Sequence, residues 1–368
     1  MANAITTRRT DRLFEELPVG VDTVALSPGE TMRYFTGLDM HKSERPTLVV
    51  LFRDGPPAVV HPVLEGDRIE EALPDAERFT YGDATDPVEV GREAFDRLRA
   101  ERTVTDPIGV EFRSTRLLEQ EVFAPSGEGA VDIEDAVSTL RARKDPEEVE
   151  RMRTAAGIIE DVLGEVFDLI EPGMTETGIE TEIRKRVMES EADGFSVGIV
   201  TSGERTAHAH ANTGERAVES GDLVMIDAGV IYEGYYSDIT RTVAVGDPDE
   251  ELREIYDVVQ AAAAAARDRV APGVELQEID RAAREVIEDA GYGDYFPHRV
   301  GHGLGLEGHE PPYLVEGNDA TLEVGHAVTV EPGVYVGGLG GVRIEDDVVV
   351  DENGADVLTT SSRDLRVL

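Results

Sequence analysis

The sequence predicts an α+β protein, with a duplicated α+β domain over residues 139–368 that follows a smaller α/β domain over residues 1–138. Two observations predict this fold class. The first part of the chain mixes short strand patterns with helical ones. The second part contains the order helix–helix–hairpin twice, with the copies offset by about 100 residues. The 368 residues are enough for two domains with a sizeable core.

The N-terminal domain is predicted from short apolar runs that lie between turn residues. A helix is expected at Val88–Arg99. The expected strands are Val24–Leu26, Leu48–Phe52, Ala58–His61 and Pro107–Glu111. Strands and helices mixed in this way are typical of an α/β domain.

A helix start marks the boundary between the two domains. Asp145 suits the N-cap, Pro146 the first helical position, and Glu148 can complete a capping box. Apolar residues then recur at spacings of three and four as far as Ile170, which predicts one long amphipathic helix. The boundary is therefore expected within residues 136–145, and we place it after residue 138.

The C-terminal domain is predicted to be duplicated because each half contains a long helix, a shorter helix and a hairpin. Pro172-Gly173 ends the first long helix, and Pro272-Gly273 ends its counterpart, which Asp249 is expected to cap. The expected hairpins pair Leu223–Ile226 with Thr240–Val245, and Ala327–Val330 with Val342–Val350. We expect the two halves to face each other.

Charge and composition exclude several classes of protein. The chain has 77 acidic and 35 basic residues, a formal net charge of −42, which repels the phosphate backbone of nucleic acids. We interpret this charge as an adaptation to high intracellular salt, because salt screens self-repulsion. No apolar run is long enough for a membrane span, and the first residues do not form a secretory signal, so we predict a cytoplasmic protein.

Four acidic residues occupy matching places on the two expected hairpins. Asp227 and Asp238 are 11 residues apart in the first half, and Glu331 and Glu345 are 14 apart in the second. Two carboxylates 4 Å apart repel by about 4 kcal/mol at an effective dielectric constant of 20, so four clustered acids need cations. Two divalent metal ions would balance these charges, and His302, in a glycine-rich stretch, is the expected neutral ligand.

The donor atoms restrict which metals can bind. The chain has no cysteine, so only oxygen and nitrogen ligands are available. A carboxylate-rich site of this kind favours Mn²⁺, with Co²⁺ or Zn²⁺ as alternatives. Two ions about 3.5–4 Å apart would bridge and deprotonate a water molecule, giving a hydroxide near neutral pH.

Residues 145–368 resemble the pita-bread metallopeptidases of the creatinase/aminopeptidase fold, which include methionine aminopeptidases, aminopeptidase P and prolidase. The matching stretches are Ile226-Asp227-Ala228-Gly229, Ser237-Asp238-Ile239-Thr240-Arg241-Thr242, Gly301-His302-Gly303-Leu304-Gly305-Leu306, Thr329-Val330-Glu331-Pro332-Gly333 and Gly341-Val342-Arg343-Ile344-Glu345-Asp346. The N-terminal domain is similar to the one found in the aminopeptidase P and prolidase branch. The resemblance implies hydrolysis of the peptide bond that precedes proline, by an Xaa-Pro aminopeptidase or an Xaa-Pro dipeptidase.

The same resemblance implies a role for each metal ligand. Asp238 and Glu345 would bridge both metals. Asp227 would chelate one metal, and His302 and Glu331 would bind the other. Glu331 would also act as the general base toward the bridging water.

Three further residues receive roles from the resemblance. His309 would stabilise the tetrahedral intermediate, and His210 would contact the substrate near the leaving group. Arg343 would hydrogen-bond neighbouring acids or the substrate, and a simple ion pair with Asp346 is the alternative. His208 is expected to be structural.

Two positions depart from the family pattern. Ala209 replaces the proline that often precedes the histidine matched by His210. Pro311-Pro312-Tyr313 replaces a segment in which several prolidases have an arginine for the terminal carboxylate of the substrate. The second departure favours release of an N-terminal residue from longer Xaa-Pro peptides over strict dipeptidase activity.

Two other functions fit the same fold. One is hydrolysis of another small amide, as in ectoine-hydrolase-like members, and the other is a non-catalytic peptide-binding module. The intact set of ligands argues against a creatinase-like enzyme and against the binding module, but not against every small-amide hydrolase. Because the N-terminal domain commonly forms a dimer contact in the prolidase branch, a homodimer is expected, with the Asp39–Lys42 loop as a candidate contact.

Overall fold

The computed structural model describes residues 2–102, 104, 106–124 and 129–368. The chain divides into two compact units, residues 1–140 and residues 141–368. Among the described residues, none of the helices combines the length and apolar character that crossing a membrane requires.

The first unit is built on a six-stranded mixed sheet. Its strands are β1 (Thr23–Leu26), β2 (Leu48–Phe52), β3 (Ala58–Pro62), β4 (Glu77–Tyr81), β5 (Ile108–Val110) and β6 (Ala130–Asp132). Its helices are α1 (Ala2–Glu16), α2 (Glu30–Thr36), α3 (Gly66–Ala72), α4 (Pro87–Glu101), α5 (Leu117–Phe123) and α6 (Glu134–Ala142). The strand order is β4-β3-β2-β1-β5-β6, and β2 runs antiparallel to both of its neighbours.

The predicted elements of this unit are confirmed. The four expected strands correspond to β1, β2, β3 and β5, and the expected helix lies within α4. β2 and β3 are buried along their whole length, and Phe95 and Leu98 on the apolar face of α4 belong to the same core. The Asp39–Lys42 segment lies between α2 and β2, outside helices and strands.

The second unit contains the duplicated elements. Its helices are α7 (Pro146–Phe167), α8 (Glu176–Glu189), α9 (Glu250–Arg269) and α10 (Leu276–Asp289). The strands of its first half are β7 (Gly194–Ser202), β8 (Leu223–Tyr232), β9 (Tyr235–Tyr236) and β10 (Ile239–Ala244). The strands of its second half are β11 (Gly301–Gly303), β12 (Glu310–Leu314), β13 (Ala327–Val330), β14 (Gly333–Val336), β15 (Gly340–Arg343), β16 (Asp346–Asp351) and β17 (Gly354–Val357). Each half thus has a long helix, a shorter helix and a sheet, as predicted.

The predicted helix cap is found at the start of α7 but not at the start of α9. The Asp145 carboxylate accepts hydrogen bonds from the Glu147 and Glu148 N–H groups, while the Glu148 carboxylate accepts one from the Asp145 N–H. This is the predicted capping box. Asp249 occupies the N-cap of α9, but its side chain makes no capping hydrogen bond, so the expected side-chain cap is wrong.

The first predicted hairpin is confirmed. β8 lies between β7 and β10, and antiparallel pairing aligns Leu223 with Ala244 and Ile226 with Arg241. The same register places Asp227 opposite Thr240.

The second predicted hairpin is wrong in one respect, because residues 342–350 do not form one continuous return strand. β13 pairs with β16, whereas β14 pairs with β15 as a separate two-stranded sheet. Pro332 follows β13 after one residue and has no N–H to extend the ladder. At the break, the Glu345 N–H donates instead to the Thr240 carbonyl of the first half at 3.1 Å.

Each half of the second unit has its own apolar core. In the first half, α7 and α8 bury their apolar faces against β8 and β10. In the second half, α9 and α10 pack in the same way against β13 and β16. The two halves meet where β10 approaches the break between β15 and β16. There the Thr242 hydroxyl of the first half donates a hydrogen bond of 3.0 Å to the Arg343 carbonyl of the second half.

Candidate metal centre

A cavity of about 680 Å³ opens where the two halves of the second unit meet. Strand ends and loops from both halves line it, so the duplication itself brings distant sequence positions together. The residues that line it include all eight of the residues to which the sequence analysis gave a metal or catalytic role, namely Asp227, Asp238, His302, Glu331, Glu345, His210, His309 and Arg343.

Strand ends and breaks position the four acids. Asp238 immediately precedes β10, and Glu331 immediately follows β13. Glu345 lies in the break between β15 and β16, whereas Asp227 lies within β8. Three of these four acids therefore sit where the ladder stops, and their side chains turn into the cavity.

The tightest cluster is formed by Asp238, His302 and Glu345. Each offers one ligand atom, and these three atoms lie within 4.8 Å of one another. Glu331 is adjacent, with its Oε1 3.4 Å from His302 Nε2. Asp227 lies outside the 4.8 Å group, and its Oδ2 is 2.6 Å from an Arg343 guanidinium nitrogen.

His302 is held with one ring nitrogen free for a ligand. A Cβ on Gly301 would lie 1.9 Å from the Thr329 carbonyl oxygen, so glycine is required for β11 to pack against β13 at this point. The His302 Nδ1 is 3.0 Å from the Gly303 carbonyl and donates to it, which leaves the Nε2 lone pair available. Burial, and then the neighbouring His309, lower the pKa of His302 to about 3, so the imidazole is neutral.

The acids raise one another's pKa values. Burial, followed by Glu345 and Asp227, raises the pKa of Asp238 well above its usual range. Burial and Glu345 do the same for the pKa of Glu331, while burial and Asp227 raise the pKa of Glu345 to about 7. The buried Asp238 Oδ1 has no hydrogen-bond partner among the described residues. A donor set of crowded carboxylates and one neutral imidazole fits divalent cations.

Hydrogen bonds orient the acids from behind. The Thr240 hydroxyl donates to Glu345 Oε2 at 2.6 Å, and the Asp238 N–H donates to Asp347 Oδ2 at 3.0 Å. Neither Thr240 nor Asp347 was predicted from the sequence to have a role. Their positions in the sequence could have indicated a supporting role, since each lies two residues from an acid assigned to the metal site.

Arg343 is fully engaged within the cavity wall. One guanidinium nitrogen pairs with Asp227, Nε donates to the Thr240 hydroxyl at 2.9 Å, and Nη1 donates to the Tyr335 hydroxyl at 3.1 Å. The alternative ion pair with Asp346 is therefore wrong. Asp346 pairs instead with Arg241, Arg267 and Arg363.

The three histidines near the mouth of the cavity differ in placement. The ring centroid of His309 is 3.8 Å from that of His302, and burial, followed by Arg299, lowers the pKa of His309. His210 lines the cavity from the loop in which the Ala209 carbonyl accepts a hydrogen bond from Arg343 at 3.3 Å. His208 is exposed, and it is not one of the described residues that line this cavity.

Two lining residues were missed by sequence reasoning. His298 Nε2 lies 3.0 Å from the Tyr335 hydroxyl, and Arg299 follows it on the cavity wall. Both stand in the stretch that leads into β11, directly before the Gly301-His302-Gly303 motif. Their closeness in sequence to His302 could have indicated that they line the cavity.

A duplicated α+β fold that directs acids and a histidine from both halves into one cavity defines a metal-dependent hydrolase. Residues 150–352 match the family described as Metallopeptidase family M24. The chain belongs to this family.

Similar proteins agree with this assignment over nearly the whole chain. The Xaa-Pro dipeptidase of Lactobacillus helveticus is 34% identical over 356 residues, which cover 94% of this chain and 95% of that protein. The structure of the Xaa-Pro dipeptidase from Bacillus anthracis aligns with a TM-score of 0.89 at 30% identity, covering 99% of this chain and 100% of that one. The X-Pro aminopeptidase from Thermotoga maritima aligns with a TM-score of 0.84 at 30% identity, covering 98% and 100%.

Proposed function

We propose that this protein hydrolyses the peptide bond that precedes proline, using two divalent metal ions. The observation that carries the proposal is the cluster of Asp238, His302 and Glu345, whose ligand atoms lie within 4.8 Å of one another beside Glu331. The relatives named Xaa-Pro dipeptidase and X-Pro aminopeptidase support the choice of bond.

Five residues would hold the metals: Asp227, Asp238, His302, Glu331 and Glu345. When bound, the two ions supply Lewis acidity that polarises the scissile carbonyl and acidifies a water molecule. The ions would also remove the like-charge repulsion that raises the pKa values of Asp238, Glu331 and Glu345.

The side chains of the cavity perform the remaining tasks. Glu331, which lines the cavity beside His302, takes the proton of the attacking water. Neutral His309 donates a hydrogen bond to the oxygen of the tetrahedral intermediate. His210 contacts the substrate near the leaving group, and Arg343 holds Asp227 in place through their ion pair.

Several finer properties stay predictions from the sequence. We infer that Mn²⁺ is the preferred metal, because oxygen donors dominate the ligand set. The net charge of −42 supports adaptation to high salt. A cytoplasmic location and a homodimer, with the Asp39–Lys42 loop as a candidate contact, complete this set of predictions.

Metal content and a substrate panel test the proposal together. Protein purified gently in high salt should contain about two divalent metal ions per chain. With Mn²⁺ in molar salt it should cleave Xaa-Pro dipeptides or Xaa-Pro-Yaa tripeptides before proline. Cleavage of ectoine alone would favour the small-amide hydrolase instead. A fully stable protein that lacks metal and cleaves none of these compounds would favour a peptide-binding module.

A further inference from the structure

A buried carboxylate directly follows His309 in the chain. His309 lines the cavity, with its ring centroid 3.8 Å from that of His302. Glu310 is the first residue of β12, and its side chain is buried. An ionised carboxylate in such a place needs cations from the protein itself. Because the two residues are consecutive, whatever holds the Glu310 side chain also restricts the backbone that carries His309.

Two buried cations hold the Glu310 carboxylate. Lys144 Nζ lies 2.7 Å from Glu310 Oε1, and Arg141 Nη2 lies 2.6 Å from Glu310 Oε2. Both cations belong to the second unit, one at the end of α6 and one just before α7. A Cβ on Gly305 would lie 2.7 Å from Glu310 Oε1 and 2.7 Å from Lys144 Cε, so a side chain there would displace this pair. Each carboxylate oxygen thus has its own cation, which fixes both the position and the plane of the carboxylate.

Arg141 also binds the acid on the other side of His309. The same Nη2 atom lies 2.8 Å from Glu307 Oε2. Glu307 and Glu310 flank Gly308 and His309, so one guanidinium joins the two ends of this short loop. The loop therefore cannot shift without breaking an ion pair, and its tip carries His309 into the cavity.

The role proposed for His309 depends on this placement. The His309 side chain is exposed, and among the described residues it has no hydrogen-bond partner, so its backbone has to fix its position. A donor stabilises a tetrahedral intermediate when it lies about 2.7–3.1 Å from the oxyanion. A displacement of about 1 Å can lower the rate about 100-fold.

We propose that Lys144 and Arg141 are positioning residues for His309, which they fix through the carboxylate of Glu310. This inference rests on the proposed function, because His309 contacts the intermediate in that reaction. Neither cation is among the described residues that line the cavity, so their effect passes through the loop and not through the substrate. Misplacing His309 should lower kcat and leave KM nearly unchanged, because the oxyanion is present in the transition state and not in the bound substrate.

Lys144→Met tests the proposal, because it removes the charge and keeps an unbranched side chain. With Ala-Pro as substrate, kcat should fall about 10- to 100-fold, while KM and the metal content stay close to those of the wild type. Lys144→Arg should recover part of this loss, because it keeps the cation. Arg143→Met is the matched control. Arg143 precedes Lys144, pairs with Glu323 at 2.5 Å and lies outside the cavity lining, so this variant should keep the wild-type kcat.

A double-mutant cycle separates positioning from general damage to the site. In a His309→Ala background, Lys144→Met should change kcat by about two-fold or less, because the residue that Lys144 positions is already absent. The same large loss in both backgrounds would overturn the proposal. A wild-type kcat in Lys144→Met, or loss of metal from this variant, would also overturn it.

Glu307→Gln provides a milder variant in case Lys144→Met does not fold. Glu307 is exposed, and its replacement leaves both cations of Glu310 in place. This variant should lower kcat about 2- to 5-fold, the usual effect of losing a partly exposed ion pair. The loss should disappear in the His309→Ala background, and a loss of the same size there would contradict the positioning of His309.

Nuclear magnetic resonance of labelled histidines gives a measurement that needs no turnover. In chelator-treated wild-type protein, the ring protons of His302 and His309 should show a strong nuclear Overhauser effect, because the ring centroids are 3.8 Å apart. Lys144→Met should weaken this effect. A protein that cleaves no Xaa-Pro peptide but shows the weakening would contradict the proposed function and support the positioning. Cleavage of Xaa-Pro peptides together with an unchanged effect in Lys144→Met would contradict the positioning alone.

Discussion

Glu345 and Asp346 are consecutive buried acids with opposite surroundings. Glu345 faces the cavity among other carboxylates, and burial with Asp227 raises its pKa to about 7. Asp346 faces away and pairs with Arg241, Arg267 and Arg363. Although burial alone would raise the pKa of Asp346, all three of these arginines lower it.

The same contrast recurs at His309 and Glu310. His309 lines the cavity, whereas the Glu310 carboxylate is buried between Lys144 at 2.7 Å and Arg141 at 2.6 Å. Burial would raise the pKa of Glu310, but the two cations lower it. Glu310 and Asp346 are thus balanced by arginine and lysine, while the acids that face the cavity have too few protein cations. The uncompensated charge is what prepares the cavity for metals.

The largest effect is expected from removing one cavity acid. Asp238→Asn should abolish activity and metal binding together, because Asp238 belongs to the tightest cluster of ligand atoms and its Oδ1 has no hydrogen-bond partner among the described residues. Metal analysis by mass spectrometry and peptide assays would measure both losses. Retention of both metals in an inactive variant would show that Asp238 serves the reaction and not the ligand shell.

A second test compares the two consecutive acids in metal-free protein. Asp346→Asn should lower the free energy of unfolding by about 3–5 kcal/mol, because it leaves buried arginines without their counter-charge. Glu345→Gln should leave the metal-free protein as stable or more stable, because it removes a charge from a repelling cluster and keeps an acceptor for Thr240. Urea unfolding in the presence of a chelator, at one fixed salt concentration, would measure both changes.

The comparison between Glu345 and Asp346 depends on the signs of these two changes in the free energy of unfolding. Equal losses from both substitutions would mean that the cavity acids are already compensated within the protein. In that case the electrostatic case for metal binding would fail, whatever the activity of the wild type.

Much of the site could be predicted because its acids recur beside the apolar runs of a duplicated pattern. Asp227, Asp238, Glu331 and Glu345 stand beside apolar runs, and a repeat with matching acids is visible without coordinates. Both halves of the duplicated fold contribute to the lining of one cavity, so all four acids meet there.

The supporting layer could not be predicted in this way. The arginines around Asp346 come from positions 241, 267 and 363, and the cations around Glu310 come from positions 141 and 144. Such pairs depend on tertiary packing, and a sequence with so many acids offers each arginine many possible partners. The strand break at Glu345 could not be predicted for a similar reason. The Glu345 N–H donates to the carbonyl of Thr240, which lies in the other half of the domain, 105 residues away in the sequence.

A third prediction concerns the cavity side of the His309–Glu310 pair. His309→Ala should lower kcat by about 10²–10³, the usual effect of losing a hydrogen-bond donor to the intermediate, while both metals remain bound. The Glu310 pairs stay intact in this variant, so its unfolding free energy should change little. Steady-state kinetics with metal analysis would test this, and loss of metal from His309→Ala would contradict a role confined to the intermediate.

The smallest expected effect is a pH dependence that arises in the supporting layer. His326 is buried, and its Nδ1 accepts a hydrogen bond from the Glu323 N–H at 3.3 Å, so the ring must be neutral. Burial lowers the pKa of His326 to about 4, below its value of about 6.5 in the unfolded chain. As the pH falls from about 6.5 to 4, the unfolded chain binds a proton that the folded protein does not, so stability decreases.

The expected decrease from His326 is roughly 2–3 kcal/mol over that pH range. In His326→Asn the amide oxygen can take the same N–H but does not titrate, so the unfolding free energy should depend less steeply on pH. Urea unfolding of both proteins with a chelator present, from pH 7 to 4.5, would measure the difference, and the chelator removes any contribution from metal release. Parallel curves for the two proteins would show that His326 is protonated in the folded state. The acid sensitivity of the protein would then arise from groups other than His326.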